Sequence, residues 1–499
     1  MKQSINEKIK SHKEQIGTFA LILMICFITC APLLQMHMSS DTYNFMDLGY
    51  FEYPKQFFLK DARVISAGVS FLAGILNLSY PTFIVGMEIL AIGITSISIY
   101  LLYKTIIDIA EIKSKKVKIM IVMASFIIIL NCMSLEYLLY AENAVMCLSV
   151  LLCIIAASYW IKNEKNRYIK CLLLVILATF CYQGSINLFL TLVTLFLFIN
   201  KKEQSIKCYC KEIIVAGTIW VISLITNVLG IYIINNILQT QQTRIESGSI
   251  LINLTKLPNI MKYIWYTVFF KSFNLWPIYC IPITIIITSI LTIWHNNKMK
   301  NLFKYIALIG IAIITGIGPI FFMKNPSAEP RMLMSIGAIV GISAIFLIIA
   351  VTKYKLLKNI IYTLIITFFL FHIIHINQIF TAHIVANKID DNMGISIKYQ
   401  IEQYEKETGN IVQKIGYHRD LAHRDFHYGY QKKYSSFTQR AFDNYYCLIE
   451  ALNYYCNRKF EKVEMTQEQY ITNFYGKNWN SYSDEQLAFE GDTMYLCIY

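Results

Sequence analysis

The chain has 499 residues, of which 56% are hydrophobic and only 15% are charged, and its formal net charge is +13. A soluble globular protein has about a quarter charged residues, so this composition excludes a soluble globular protein. The basic residues form short clusters between long apolar runs, which indicates determinants of membrane topology rather than a surface for nucleic acid.

Apolar runs of some twenty residues recur from Leu21 to Phe380. Each is long enough to cross a bilayer core about 30 Å thick, and together they predict about eleven spanning helices. The first run is longer than a typical signal core and lacks a small-x-small cleavage site, so we expect it to be retained. The predicted spans are 17–37, 82–103, 119–135, 143–161, 170–183, 185–200, 212–236, 275–294, 305–323, 332–352 and 359–380.

Residues 62–79 form another apolar run, and its orientation decides the sidedness of all later loops. If the run spanned the membrane, every later basic loop would face outward. We therefore expect a helix that lies on the outer membrane surface and ends at Tyr80-Pro81.

Lysine and arginine are concentrated in alternate loops, which by the positive-inside rule face the cytoplasm. The N-terminus of the chain is then cytoplasmic, and the tail after His383 lies outside the plasma membrane. Two larger external regions follow from this topology. The first external loop is 38–81, and the second is 239–273, in which Y-I-W-Y-T-V-F-F predicts a helix at the membrane interface.

The chain divides by composition into a polytopic membrane domain, 1–383, and a tail, 384–499, that carries charges of both signs. In the tail we expect helices at 395–408 and 438–456 and strands at 411–417 and 494–499, which form a small α/β domain. The predicted fold class is therefore a mainly α polytopic membrane protein with a small extracytoplasmic α/β domain.

The first external loop contains the strongest candidates for chemistry. Asp41 follows the first helix closely, and a carboxylate near the bilayer is suited to act as a general base towards a hydroxyl group. Asp47 comes next, and then F-F-L-K-D-A-R-V brings together Lys60, Asp61 and Arg63. Cations at this position can stabilise a phosphate group, although Asp61 and Arg63 could instead only pair with each other.

Other polar candidates stand at the predicted ends of later spans. Glu136 and Glu142 flank a short external turn, and Gln183 is suited to bind sugar hydroxyl groups. Arg331 begins a helix and is a candidate for phosphate binding or for interfacial anchoring. Glu88 lies within an apolar run, where we expect it to face the protein interior.

Several chemistries lack their sequence signatures. There is no Walker loop, G-x-G-x-x-G, G-x-S-x-G or H-E-x-x-H motif. The cysteine spacings do not form a metal framework. The tail histidines His418, His423 and His427 have a spacing more typical of a polar surface than of a metal site. ATP-driven transport therefore has no support.

The sequence resembles the GT-C class of membrane glycosyltransferases, and most closely the bacterial type-II Gtr glucosyltransferases. The likeness is carried by S-S-D-T-Y-N after the first helix, by F-F-L-K-D-A-R-V, and by the many helices. The tail ending N-W-N-S-Y-S-D-E-Q-L-A-F-E-G-D-T-M-Y-L-C-I-Y extends it. Ala62 departs from the D-G-R-like stretch that relatives often have, which leaves the role of Asp61-Ala62-Arg63 open.

The resemblance implies a GT-C-like fold and the transfer of a sugar, glucose, from a polyprenyl-phosphate donor to a cell-surface glycan acceptor on the outer face. Asp41 would be the general base, and Arg63 and Arg331 would contact the phosphate. No nucleotide would be needed. Some GT-C enzymes use a divalent metal such as Mg²⁺ or Mn²⁺ and others do not, and the sequence does not decide between them.

Three alternative functions remain open at this stage. A polysaccharide polymerase or ligase typically has large external loops that contain Arg and His. The external region 239–273 contains only one arginine, Arg244. A flippase or transporter would favour charges near the bilayer midplane, where Glu88 is the main candidate. The tail could also act as a sensor that takes no part in sugar chemistry.

Overall fold

The computed structural model describes residues 2–162, 165–200, 205–239, 249–266, 280–295, 299–323, 329–350, 355–419, 434–477, 479 and 482–498. The first helices are α1 (Lys2–Cys30), α2 (Ser40–Tyr53), α3 (Val64–Ile75), α4 (Tyr80–Ala110), α5 (Lys115–Ile129), α6 (Asn143–Lys162), α7 (Arg167–Cys181), α8 (Asn187–Ile199) and α9 (Ile206–Ile237). The later helices are α10 (Ser249–Thr255), α11 (Leu257–Tyr266), α12 (Cys280–His295), α13 (Met299–Ile317), α14 (Met334–Gly337), α15 (Ile339–Ala350), α16 (Lys355–Thr408), α17 (Leu448–Cys456) and α18 (Gln467–Asn473).

Among the described residues, seven helical segments are long and apolar enough to cross a membrane. In hydrocarbon every backbone N–H and C=O must be hydrogen-bonded within the protein, and a helix meets this requirement within a single segment. This confirms a mainly α, multi-pass membrane protein. The seven segments are Lys13–Leu33, Tyr80–Ala110, Asn143–Lys162, Ile206–Ile237, Asn301–Ile320, Pro330–Ala350 and Leu356–Thr408.

The exact number of spans stays a prediction. All eleven predicted runs contain described helix, but some of these helices are short. The helices α5, α7 and α8 have 13 to 15 residues, fewer than the roughly 20 residues that a span needs. The predicted span 275–294 and the predicted interface helix in 239–273 fall partly outside the described residues, and so do Arg244, His423 and His427.

The run 62–79 contains helix α3, which has 12 residues. At 1.5 Å per residue this helix is about 18 Å long, shorter than a bilayer core of about 30 Å. Its length favours a helix that does not cross the membrane, and its orientation stays a prediction.

Contacts within the chain define two compact units. The first unit contains Met1–Leu34, Pro54–Leu72 and Val85–Asn377, and the second contains Gln35–Tyr53, Ala73–Ile84 and Gln378–Tyr499. Two parts of the predicted first external loop thus belong with the C-terminal residues. The domain division at 383 stays a prediction.

In the first unit, close helix packing depends in part on a small residue. Helix α6 packs against α7 and α8, and α5 packs against α15. A Cβ atom at Gly341 of α15 would lie 2.7 Å from the backbone oxygen of Ala124 in α5. The glycine therefore permits the two backbones to approach, as small residues do between membrane helices.

The second unit contains a four-stranded sheet in the order β2-β1-β4-β3. Strand β1 (Lys414–Arg419) is parallel to both β2 (Glu461–Val463) and β4 (Thr493–Ile498), and β3 (Leu487–Glu490) is antiparallel to β4. Sequence reasoning placed β1 and β4 within a few residues but missed the short strands β2 and β3. Strands β1 and β4 are the two inner strands of this sheet, and every residue of β4 is buried.

The predicted tail helix 438–456 is wrong in its first half, because helix α17 begins only at Leu448. Asp390 Oδ2 accepts a hydrogen bond from the Ala441 amide at 2.7 Å, and Asn444 Oδ1 accepts one from the Tyr446 amide at 3.1 Å. Such side-chain bonds compete with helix formation and favour turns. The predicted helix 395–408, by contrast, is the end of the 54-residue helix α16.

A pair of buried histidines lies in the second unit. His383 Nδ1 is 2.8 Å from the Phe437 carbonyl oxygen, and His383 Nε2 is 3.2 Å from His37 Nδ1. Because a carbonyl only accepts, His383 Nδ1 carries the donated proton, and His37 Nδ1–H then donates to His383 Nε2. Both rings are neutral in this arrangement. Burial and the neighbouring His383 lower the pKa of His37 to about 3.

We expect the thermal unfolding temperature of the purified protein to fall as the pH is lowered from 7.5 to 5. The unfolded chain takes up a proton at His37 near pH 6.5, whereas the folded chain does so only near pH 3. The contribution of His37 to the free energy of unfolding is therefore complete above about pH 6.5. Below that pH it decreases by up to about 1.4 kcal/mol per pH unit. The variant His37→Asn should have a shallower dependence on pH. An unchanged slope in His37→Asn would contradict this explanation.

Candidate active site

Arg63 is directed into the first unit by a tight turn. The 3-10 helix Leu59–Asp61 ends at Ala62, whose φ of 55° and ψ of 28° are left-handed. The Ala62 amide donates to the Leu59 carbonyl and the Arg63 amide to the Phe58 carbonyl. Glycine adopts this conformation without steric cost, which explains physically why a glycine suits the position that Ala62 occupies.

The Arg63 guanidinium is held by two carboxylates and one aromatic ring. Its Nη1 lies 3.2 Å from Glu142 Oε1, and its Nη2 lies 3.5 Å from Asp61 Oδ2. The guanidinium carbon is 4.9 Å from the centre of the Tyr182 ring. Burial alone would lower the pKa of Arg63, but the negative charge of Asp61 and its other partners outweighs burial and raises it. Arg63 therefore stays charged.

Glu142 owes its position to the start of helix α6. Its carbonyl oxygen accepts from the Val145 and Met146 amides in the first turn of that helix. The next residue, Asn143, donates through Nδ2 to Glu88 Oε2 at 2.5 Å. Glu88 is fully buried in α4, so it faces the interior as expected and fastens the beginning of α6 beside Glu142.

Arg331 forms a second ion pair in the same unit. It lies in the 3-10 helix Pro330–Leu333, and its Nη1 is 2.9 Å from Glu136 Oε2 and 2.7 Å from the Tyr140 hydroxyl. The Tyr137 hydroxyl donates to the Arg331 carbonyl oxygen at 2.9 Å. The side chain of Glu136 is only 1% exposed, whereas that of Arg331 is 23% exposed, so the pair joins a buried carboxylate to a partly exposed arginine.

Tyr182 joins the two arginine sites. It follows α7, with its ring under Arg63 and 5.3 Å, edge to face, from the ring of Tyr137. Both Arg63 and Arg331 act electrostatically on its hydroxyl group, and the two guanidinium groups are close enough to repel each other. The structure thus brings Asp61, Arg63, Glu136, Glu142 and Arg331 into one buried network.

Tyr137, Tyr140 and Tyr182 belong to this network, and sequence reasoning missed them. The signals available were the Y-L-L-Y spacing between Glu136 and Glu142, and the position of a tyrosine directly before Gln183.

Gln183 and Lys60 are adjacent in sequence to members of this network, Gln183 to Tyr182 and Lys60 to Asp61. Gln183 follows Tyr182, and within the part of the chain that the structure describes its buried Oε1 has no hydrogen-bond partner. The same holds for Arg63 Nε. Lys60 is held through its carbonyl oxygen, which accepts from Asn235 Nδ2 at 3.0 Å.

Asp41 and Asp47 lie on helix α2 in the second unit. The Ser39 and Thr42 side chains cap the start of α2, because the Thr42 amide donates to Ser39 Oγ and the Ser39 amide donates to Thr42 Oγ1. Asp41 is in the first turn, where the helix dipole favours a negative charge. Asp47 Oδ1 accepts from Asn453 Nδ2 at 2.9 Å, so Asp47 binds helix α17.

The family model for glucosyl transferase GtrII matches residues 30–348, more than half of the chain. The chain belongs to this family. Comparison with curated proteins and with solved structures gives no match.

GtrII membership implies glycosyltransferase activity, and the helices make this protein a multi-pass membrane glycosyltransferase. The match confirms the resemblance to the type-II Gtr glucosyltransferases over residues 30–348, a range that includes Asp41, Arg63 and Arg331. The part of the resemblance drawn from the tail, 384–499, lies beyond the match and stays a prediction.

The described residues contain no group of three or more His, Cys, Asp or Glu side chains that could hold a metal ion. The carboxylates of the buried network hold arginines, as Asp61 and Glu136 do. Mg²⁺ is commonly bound through one or two carboxylates together with substrate phosphates, so a role for Mg²⁺ or Mn²⁺ stays an expectation from the sequence.

We expect Arg331→Met to lower the free energy of unfolding by about 3–5 kcal/mol, because it leaves the buried Glu136 carboxylate without its counter-charge. The double variant with Glu136→Gln should recover much of this loss. Thermal and denaturant unfolding of all four proteins gives the coupling energy.

The matched control is the cycle Lys398→Met and Glu402→Gln. That pair is 3.9 Å apart and exposed, so its coupling should be below about 1 kcal/mol. Equal coupling in the two cycles would argue against a buried ion pair at Arg331.

Proposed function

We propose that this protein transfers glucose from a polyprenyl-phosphate donor to a cell-surface glycan acceptor at the outer face of the plasma membrane. The N-terminus is then cytoplasmic and the C-terminal residues are extracytoplasmic. Asp41 is the general base, Arg63 and Arg331 bind the donor phosphate, and Gln183 contacts the sugar. The lipid bilayer supplies the donor, and no nucleic acid takes part.

One observation carries the proposal. The network around Tyr182 contains two partly buried arginines, and Arg63 keeps one buried N–H, at Nε, without a partner among the described residues. Guanidinium groups bind phosphate with several N–H donors at once. A phosphate oxygen is the chemical group that such an arrangement favours in a GtrII family member.

The proposed reaction needs one proton transfer and one displacement. Asp41 takes the proton of the acceptor hydroxyl group as the acceptor oxygen forms a bond to the anomeric carbon of the donor. The bond between that carbon and the phosphate oxygen breaks, and its electron pair stays on polyprenyl phosphate. Arg63 and Arg331 stabilise the negative charge that grows on this leaving group.

Gln183 and two glutamates, Glu142 and Glu136, complete the proposed site. Gln183 Oε1 is a buried acceptor without a partner in the described part of the chain, and it suits a sugar hydroxyl as donor. Glu142 and Glu136 hold the guanidinium groups in place before the donor binds. Lys60, Asp61 and Asp47 remain candidates for substrate contacts from the first external loop.

We expect Asp41→Asn to lower transfer by at least about 10²-fold, because the amide cannot accept the proton of the acceptor. Radiolabelled glucose transfer from polyprenyl phosphate to glycan in isolated membranes measures this. Glu52→Gln, a carboxylate of the same helix, is the matched control and should leave transfer close to wild type. Full activity in Asp41→Asn would remove the general base from the proposal.

We expect Arg63→Lys to raise the KM for the polyprenyl-phosphate donor by about tenfold, because lysine lacks the planar fork of N–H donors. The KM for the glycan acceptor should change much less.

Arg167→Lys is a matched control for this variant. Arg167 is also paired with a carboxylate, Glu212, at 2.9 Å and also lies over an aromatic ring, that of Trp160. Its substitution should leave the donor KM unchanged. A donor KM that rises equally in both variants would point to a general loss of packing instead of a lost phosphate contact.

A further inference from the structure

Helix α2, which carries Asp41, is built into the hydrophobic core of the second unit. Met38, just before α2, and Tyr43, within it, are buried in one cluster with Leu448 and Leu452 of helix α17. The side chains of Thr42 to Phe45 are all buried. The C-terminal residues therefore cover one face of α2 at the level of Asp41.

Hydrogen bonds fasten the start of α2 to helix α16. Asn387 Oδ1 accepts from the Met38 amide at 2.5 Å, and Asn387 Nδ2 donates to the Met38 carbonyl oxygen at 2.9 Å. Asn387 thereby forms hydrogen bonds with both the amide and the carbonyl group of Met38. A single side chain from the tail thus fixes the backbone three residues before Asp41.

A chain of hydroxyl groups fastens the middle of α2. The Tyr43 hydroxyl is 2.9 Å from the Tyr455 hydroxyl, and the Tyr455 hydroxyl donates to Asp391 Oδ1 at 2.8 Å. The Tyr455 ring also lies against Gly394 of α16, and a Cβ atom there would collide with the ring. Tyr455 is thus held by both α16 and α2.

The far half of α2 is fastened as well. Asn453 Nδ2 donates to Asp47 Oδ1 at 2.9 Å, and Lys459 Nζ lies 3.2 Å from the Asp47 carbonyl oxygen. Asp41 itself lies near enough to the tail that its charge acts on the buried Cys447 thiol. Contacts with the C-terminal residues thus occur before, beside and after Asp41.

We propose that the C-terminal residues position the general base of the transfer reaction, with Asn387 and Tyr455 as positioning residues that act through Asp41. This inference rests on the role proposed for Asp41. A misplacement of about 1 Å can lower a reaction rate about 10²-fold. A tail that acted only as a sensor would leave sugar transfer unchanged when these contacts are removed.

The principal test is Tyr455→Phe in the full-length protein, which keeps the ring and removes the hydroxyl that joins Tyr43 to Asp391. We expect kcat for glucose transfer to fall about tenfold while the donor KM stays unchanged. Hydrogen exchange at the amides of residues 42–45 should accelerate about tenfold. Tyr475→Phe, on an exposed tyrosine of the same unit, is the matched control and should change neither quantity.

A second variant, Asn387→Asp, keeps the acceptor for the Met38 amide and removes the donor to the Met38 carbonyl. It should likewise lower kcat and leave the donor KM unchanged, and it provides the test if Tyr455→Phe does not fold. The variant Gly394→Ala should also slow transfer, although alanine is the better helix former. Agreement among these variants supports positioning through α2.

The outcomes separate this inference from the proposed function. Unchanged hydrogen exchange and kcat in the folded Tyr455→Phe and Asn387→Asp proteins would overturn the positioning role. Accelerated exchange combined with full transfer by Asp41→Asn would overturn the role of Asp41, and the positioning of a catalytic base would fall with it. Accelerated exchange with a reduced kcat and an inactive Asp41→Asn supports both.

Discussion

The first unit depends on the charge of two partly buried arginines, Arg63 and Arg331. Removing a guanidinium group from water costs several kcal/mol, and the cost is offset only when an opposite charge is held at close range. Arg63 has Asp61 and Glu142, and Arg331 has Glu136. The need to pair these charges therefore fixes three segments of the chain. They are the turn before α6, the 3-10 helix Leu59–Asp61 with Arg63 after it, and the 3-10 helix Pro330–Leu333.

This arrangement also bears on the proposed reaction. The network around Tyr182 contains two arginines and the carboxylates of Asp61, Glu136 and Glu142, so it does not carry a surplus of positive charge. A phosphate that enters must compete with carboxylates for the N–H donors. In the reaction proposed above, such competition would weaken the binding of donor and product alike, and it would favour release of polyprenyl phosphate after transfer.

The charged residues of the network could be singled out from the sequence because a charged residue at the end of an apolar run is rare and costly, and their role as site residues stays a prediction. Their partners could not, because Glu142 and Arg63 are 79 residues apart and Glu136 and Arg331 are 195 apart. Tyr137, Tyr140 and Tyr182 were missed because the chain has 34 tyrosines and most carry no distinguishing spacing. Helix 438–456 was predicted too long because side chains of Asp390 and Asn444 stabilise turns that no local pattern reveals.

The association of α2 with the C-terminal residues was equally hidden, since Met38 and Asn387 are 349 positions apart. A helix of 14 residues, broken near its end by Gly49 with φ of 80°, is marginal by itself in water. Its stability must come from the face that it buries, and that face packs on α17. If Asp41 is the general base, its helix therefore depends on residues that lie beyond the range matched by the family model. The proposed chemistry then requires the C-terminal residues for geometry, even though those residues supply no group to the reaction.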